Sequence, residues 1–123
     1  MKIIEAINMI DAIKPNTFTQ AEKLAWLSTL DEMIKKEIID THEGAEVVDF
    51  AGYDEETDIE RVLLVPAPYD EIYLFWMESK IDYWNGEKGR YNNSITMFNN
   101  AYAAYQEFYN RMHKPLGRRR FVF

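Results

Sequence analysis

The chain has 123 residues, no cysteine and a formal charge of −7. Its length matches one domain, since domains commonly run ~100–150 residues, and it suffices to bury a core without staples. Without cysteine there are no disulfides, thiolate metal sites or thiol chemistry, and no apolar run approaches the ~20 residues that cross a bilayer.

The charge is uneven. Lys114, Arg118, Arg119 and Arg120 are the only charged residues after position 113, so residues 1–113 carry −11. Such a body is repelled by phosphate backbones, which argues against a dedicated nucleic-acid binder. Glu5 and Asp11 interrupt the apolar pattern of "MKIIEAINMIDAIK", which a secretory signal would avoid. The expectation is a soluble, cytosolic chain.

In chain order, Ile3, Ile7 and Ile10, with Ile4 and Ile13 beside them, recur at helical spacing. They predict a first helix over about Lys2 to Ile13, stopped by Pro15, because a proline pushes the residue before it out of the helical region. "TQAE" reads as a capping box from Thr19 to Glu22. Leu24, Leu27, Leu30, Ile34 and Ile38 then carry a second helix to about Thr41. The segment 43–68 holds two short β-prone runs, Val47–Phe50 and Val62–Val65, around an acidic turn. It forms either a small hairpin or an ordered loop, since two strands alone are marginal.

A third helix follows, with Asp70 as the expected N-cap and Glu71 suited to the positive end of the dipole. Ile72 to Met77 are all apolar or aromatic, so other helices should enclose that stretch. Asn85-Gly86 ends it, glycine tolerating the left-handed conformation after a helix. The fourth helix must turn back antiparallel. In it Tyr91, Ile95, Phe98, Tyr102, Tyr105, Tyr109 and Met112 alternate spacings of four and three, the repeat of a seam packed along its length. Pro115 stops it. The expected fold class is all-α: an antiparallel bundle of about four helices over residues 1–115, with the 43–68 insertion and an extended basic and aromatic tail over 116–123.

The candidates for chemistry are few. His42 and His113 each sit near a predicted helix C-terminus, where a capping role explains them. Asp40, His42 and Glu43 are sequence neighbours that point in different directions, a poor metal set. No GxSxG, HExxH or glycine-rich phosphate loop occurs. "YDEETDIE" invites a calcium loop counted from Asp54, but Ile59 stands where the loop needs glycine and Val65 where it needs glutamate. Asp54, Glu55, Glu56 and Asp58 read instead as a solvated turn, or as a docking surface for a basic partner. No catalytic, metal or cofactor site is expected, and the chain reads as a non-enzyme.

Two features point to protein contacts. Asn92 and Asn99 share one side of the fourth helix, and so do Asn93 and Asn100; two amide rows suit a neighbouring subunit, and an ordinary wet surface has the same look. In the tail, Arg118, Arg119 and Arg120 precede Phe121-Val122-Phe123. This makes either a frayed basic terminus or a clasp whose tip buries while its guanidiniums meet an acidic neighbour.

The elements "VPAPYD", "IDYWNGE", "RYNNS", "MFN" and "YNRMHKP", at matching relative spacing, resemble a family of small proteins encoded among the head genes of tailed bacteriophages and prophages of Firmicutes. "KPNTFTQAEKLAWLSTLD" and "THEG…GYDEETD" extend the likeness over most of the chain. "GRRRFVF" departs from the family pattern, so the role of the tail rests on its residues alone. The resemblance implies a head–tail connector, or adaptor: a helical structural protein that self-associates into a ring on the portal protein among the neck proteins. It implies a location in the host cytoplasm during assembly and afterwards in the virion neck, with any DNA contact incidental. The alternative is a helical protein-binding or regulatory module of a prophage or mobile element.

Overall fold

The computed structural model of the protein describes residues 1–45 and 50–116. It is all-α. Helix α1 spans Ile3–Ile13, α2 Gln20–Ile34, α3 Ile72–Trp84 and α4 Lys88–Met112. A π-helical stretch, Lys35–Ile39, prolongs α2, and a 3-10 turn, Tyr69–Glu71, leads into α3. No helix among the described residues is long and apolar enough to cross a membrane.

Each helix begins and ends for local reasons. The Thr19 hydroxyl accepts from the Glu22 amide at 3.1 Å while the Glu22 carboxylate takes the Thr19 amide at 3.2 Å, closing the expected capping box. Its stripe of Leu24, Leu27, Leu30, Ile34 and Ile38 is buried, and the widened turn at Lys35–Ile39, closed by Asp40 N–H to the Lys35 carbonyl at 2.8 Å, keeps Ile38 facing inward. Gly86, at φ +73°, makes the turn between α3 and α4.

The N-terminus of α3 differs from the expectation. Asp70 does not cap it: the residue lies inside the 3-10 turn, and Glu71, the residue before the first helical one, makes no side-chain cap either. The tight turn already brings the Ile72 N–H to the carbonyls of Tyr69 and Asp70, so the helix start needs no side-chain acceptor.

Helix α3 is the central element, packed against α1, α2 and α4. Ile72, Tyr73, Leu74 and Met77 are buried, and Phe75 and Trp76 half-buried, as a run apolar on every side requires. Each fully buried Ile or Leu contributes ~1.5–3 kcal/mol of transfer free energy. Cross-links set the directions. Trp76 Nε1 donates to the Trp26 carbonyl at 2.8 Å, and the Trp76 ring lies 4.8 Å from Phe98. Farther down, Tyr102 donates to Glu37 at 2.6 Å, and Glu43 N–H reaches the Lys114 carbonyl at 2.8 Å. So α2 and α4 run the same way and α3 runs against both.

No strand forms among the described residues, and the described residues 50–68 of the insertion run as an ordered loop. Of the two β-prone runs, Val47–Asp49 lie outside the described residues. The other, Val62–Val65, pairs with the residues that open α1: Ile3 N–H meets the Arg61 carbonyl and Leu63 N–H the Met1 carbonyl, each at 2.9 Å. Leu63 and Val65 are buried in the core.

Candidate functional site

The candidate site is a surface, and α4 builds most of it. Ser94, Phe98 and Tyr105 are its buried residues, with Tyr91, Ile95, Tyr102 and Tyr109 half-covered beside them. The aromatic seam therefore runs as expected to Tyr109 and fails at Met112, which is 63% exposed beyond the end of its partner helices. With that stripe inward, the opposite side carries two exposed rows. One is Asn92, Thr96, Asn99, Ala103 and Gln106; the other is Asn93, Met97, Asn100, Ala104, Glu107 and Arg111. The four asparagines singled out above thus share one open face with almost no charge. An amide there donates and accepts hydrogen bonds at once, and small Ala103 and Ala104 let a neighbour approach closely.

The acidic turn is spent mostly on itself. Asp54 Oδ1 accepts the Glu56 amide at 2.8 Å, and Asp58 Oδ2 accepts the Asp54 amide at 2.7 Å. Arg61 lies 3.8 Å from Asp58 and over the Tyr53 ring. Only Glu55 and Glu56 are left pointing to solvent without such a role among these four. Among the described residues no group of three or more His, Cys, Asp or Glu side chains is placed to hold a metal ion. Arg118, Arg119, Arg120, Phe121 and Phe123 lie outside the described residues.

His42 does cap, and it does more. Its Nδ1 lies 2.5 Å from the Ile38 carbonyl at the end of the π-helical stretch, and its Nε2 faces the Asn110 side chain at 2.6 Å. The ring packs edge-on to Tyr109 at 4.9 Å. A histidine read as local punctuation is therefore a buried tie from α2 to α4. His113 stacks on Tyr109 at 4.1 Å.

Two buried carboxylates escaped the sequence reading. Asp31 is fully enclosed and accepts from the Tyr53 hydroxyl, the Tyr73 hydroxyl at 2.6 Å and the Leu64 amide at 3.2 Å. Tyr73 passes the chain on, its oxygen accepting the Val65 amide at 2.8 Å. Burial pushes the Asp31 carboxyl above its ordinary range, against the pull of those hydrogen bonds, and burial beside Asp31 raises both tyrosines. Asp82, also fully buried, meets Lys14 and Ser94, each at 2.6 Å. A signal for Asp31 existed: it stands four after Leu27 and three before Ile34, on the apolar stripe itself. Every member of both networks has a structural partner, so these clusters read as ties of loop and helices to the bundle. Tyr105, pushed up to about 12 mainly by its burial, stays a neutral hydroxyl within the seam.

At the α3–α4 turn the surface changes character. Phe18, Glu22, Trp26 and Trp84 line a hollow of about 440 Å³. Phe18 and Trp26 meet edge-to-face at 5.1 Å, and Trp84 is 63% exposed. Comparison of the chain with family models, curated proteins and solved structures finds no match to any of them.

Proposed function

We propose that this chain is a phage structural protein, a head–tail connector that assembles as a ring on the portal during virion assembly and works without catalysis. The observation that supports it most is the open face of α4. A helix ~36 Å long is tied inward by a continuous aromatic seam and offers Asn92, Asn93, Asn99 and Asn100 outward. Uncharged amides give directional contacts that cost little to expose before assembly, which suits a subunit that must stay dispersed until its template appears. A ring of identical subunits needs two different faces meeting around a closed circle, and the bundle has chemically distinct sides: amide rows on α4 and aromatic rings at the α3–α4 turn. The buried ties of His42, Asp31 and Asp82 support the same reading, because they hold the faces in fixed relation.

The test is native mass measurement of the chain alone and with rings of a portal protein encoded beside it. The expected outcome is a stoichiometric ring on the portal that Asn92→Asp combined with Asn99→Asp disrupts by crowding like charges. A chain that never associates with portal or with itself at high concentration defeats the proposal.

A further inference from the structure

The hollow at the α3–α4 turn has the chemistry of a cation receptor. Three aromatic side chains, Phe18, Trp26 and Trp84, share its lining with one carboxylate, Glu22. Aromatic faces attract a guanidinium through their quadrupole, tryptophan most strongly, and the flat guanidinium also stacks. Glu22 uses Oε1 for the capping box of α2, and Oε2 takes no part in that cap. A ligand with a planar cation followed by an apolar group fits this lining.

The chain carries such a ligand, Arg118-Arg119-Arg120-Phe121, and geometry decides whose copy can deliver it. Leu116 is held at the far end of the bundle, its N–H bonded to the Thr41 carbonyl at 2.7 Å. Thr41 and Glu22 lie at opposite ends of α2 and its π-helical extension, ~28 Å apart at 1.5 Å per residue. Arg118 is two residues past Leu116, so its Cα can travel at most ~7 Å from it, and the Arg118–Phe121 segment cannot lie along the hollow of its own chain. A chain cannot fill its own hollow. We propose that the hollow between Phe18, Glu22, Trp26 and Trp84 receives the Arg118–Phe121 segment of a second copy, a head-to-tail contact. The charge balance agrees, since a body of −11 meets a segment of +3. This inference deepens the self-association reading above and rests on it.

The experiment uses the full chain bearing Arg118→Ala, Arg119→Ala and Arg120→Ala, so that the hollow is intact and the resident tail disabled. A synthetic peptide KPLGRRRFVF is titrated in, and tryptophan emission is followed, because two of the three tryptophans line the hollow. Saturable binding is expected, weakened about tenfold by Trp84→Ala and by a peptide with lysine at the three arginines, which keeps the charge but loses the plane. Matching circular dichroism confirms that Trp84→Ala, an exposed position, leaves the fold intact. Sedimentation adds a second arm: the triple-alanine chain and the Trp84→Ala chain, each with one working half, combine into a dimer that cannot grow.

No saturable change up to about 1 mM peptide, equal binding of the lysine peptide, or unchanged binding to Trp84→Ala each overturns the docking. If the intact chain still forms rings on the portal in that event, self-association stands and only this contact falls. If it forms none, both fall.

Discussion

Replacing Tyr73 by phenylalanine removes one oxygen from the centre of the bundle and leaves the packed volume nearly unchanged. That oxygen donates to Asp31 at 2.6 Å and accepts from the Val65 amide at 2.8 Å, and both Tyr73 and Asp31 are fully buried. The variant therefore loses a charge-assisted bond, ~1.5–3 kcal/mol, and strands a buried amide donor, ~1–3 kcal/mol. Since the two losses share one relaxation, the expected total is ~3–4 kcal/mol, a large part of the ~5–15 kcal/mol that holds a domain together. Urea unfolding at equilibrium should show a lower midpoint with an unchanged slope, and thermal unfolding a fall of roughly 12–16 °C. A double-mutant cycle with Asp31→Ala, which removes the acceptor, separates the two losses, because only the Asp31 bond appears as coupling. A cost below about 1 kcal/mol, or a cycle without coupling, refutes the claim that this network ties the loop to the bundle.

Further outcomes follow from the same buried charges. The folded chain holds the Asp31 proton to higher pH than the unfolded chain, whose carboxyl titrates near 3.8. The stability linked to this group is thus fully present below that range and is lost as pH climbs toward the raised native value. The advantage of the wild type over Asp31→Asn should narrow as pH rises from the ordinary carboxylate range to neutrality; widening over that interval, in paired denaturation curves, contradicts the assignment. Lys14→Met strands the enclosed Asp82 with Ser94 alone and should cost ~3 kcal/mol, more than Ser94→Ala at ~1 kcal/mol, as read by denaturant midpoints at pH 7. The reverse order would mean that Ser94, not Lys14, carries the burial of Asp82.

Much of this protein was legible as sequence because helices are local objects. The spacing of Ile3, Ile7 and Ile10, the Thr19–Glu22 box, Gly86 and the alternating fours and threes of α4 as far as Tyr109 each act within a few residues, and each has its expected place in the structure. Which face of α4 is open follows from the same period, so the exposure of Asn92, Asn93, Asn99 and Asn100 could be read in advance. Asp70 lies in a 3-10 turn and not at a helix cap, a difference that its residue type alone does not reveal.

What only the tertiary structure decided lies at long separation. Val62 to Val65 reads as half of a hairpin, yet its partner is the opening of α1. Asp31 meets Tyr73, His42 meets Asn110, Lys14 meets Asp82, and Phe18 gathers with Trp26 and Trp84 around a hollow. Backbone hydrogen bonding makes a helix from neighbours and so leaves its trace in spacing. A buried charge finds its partner only after the helices have docked, and no period in the chain records that meeting.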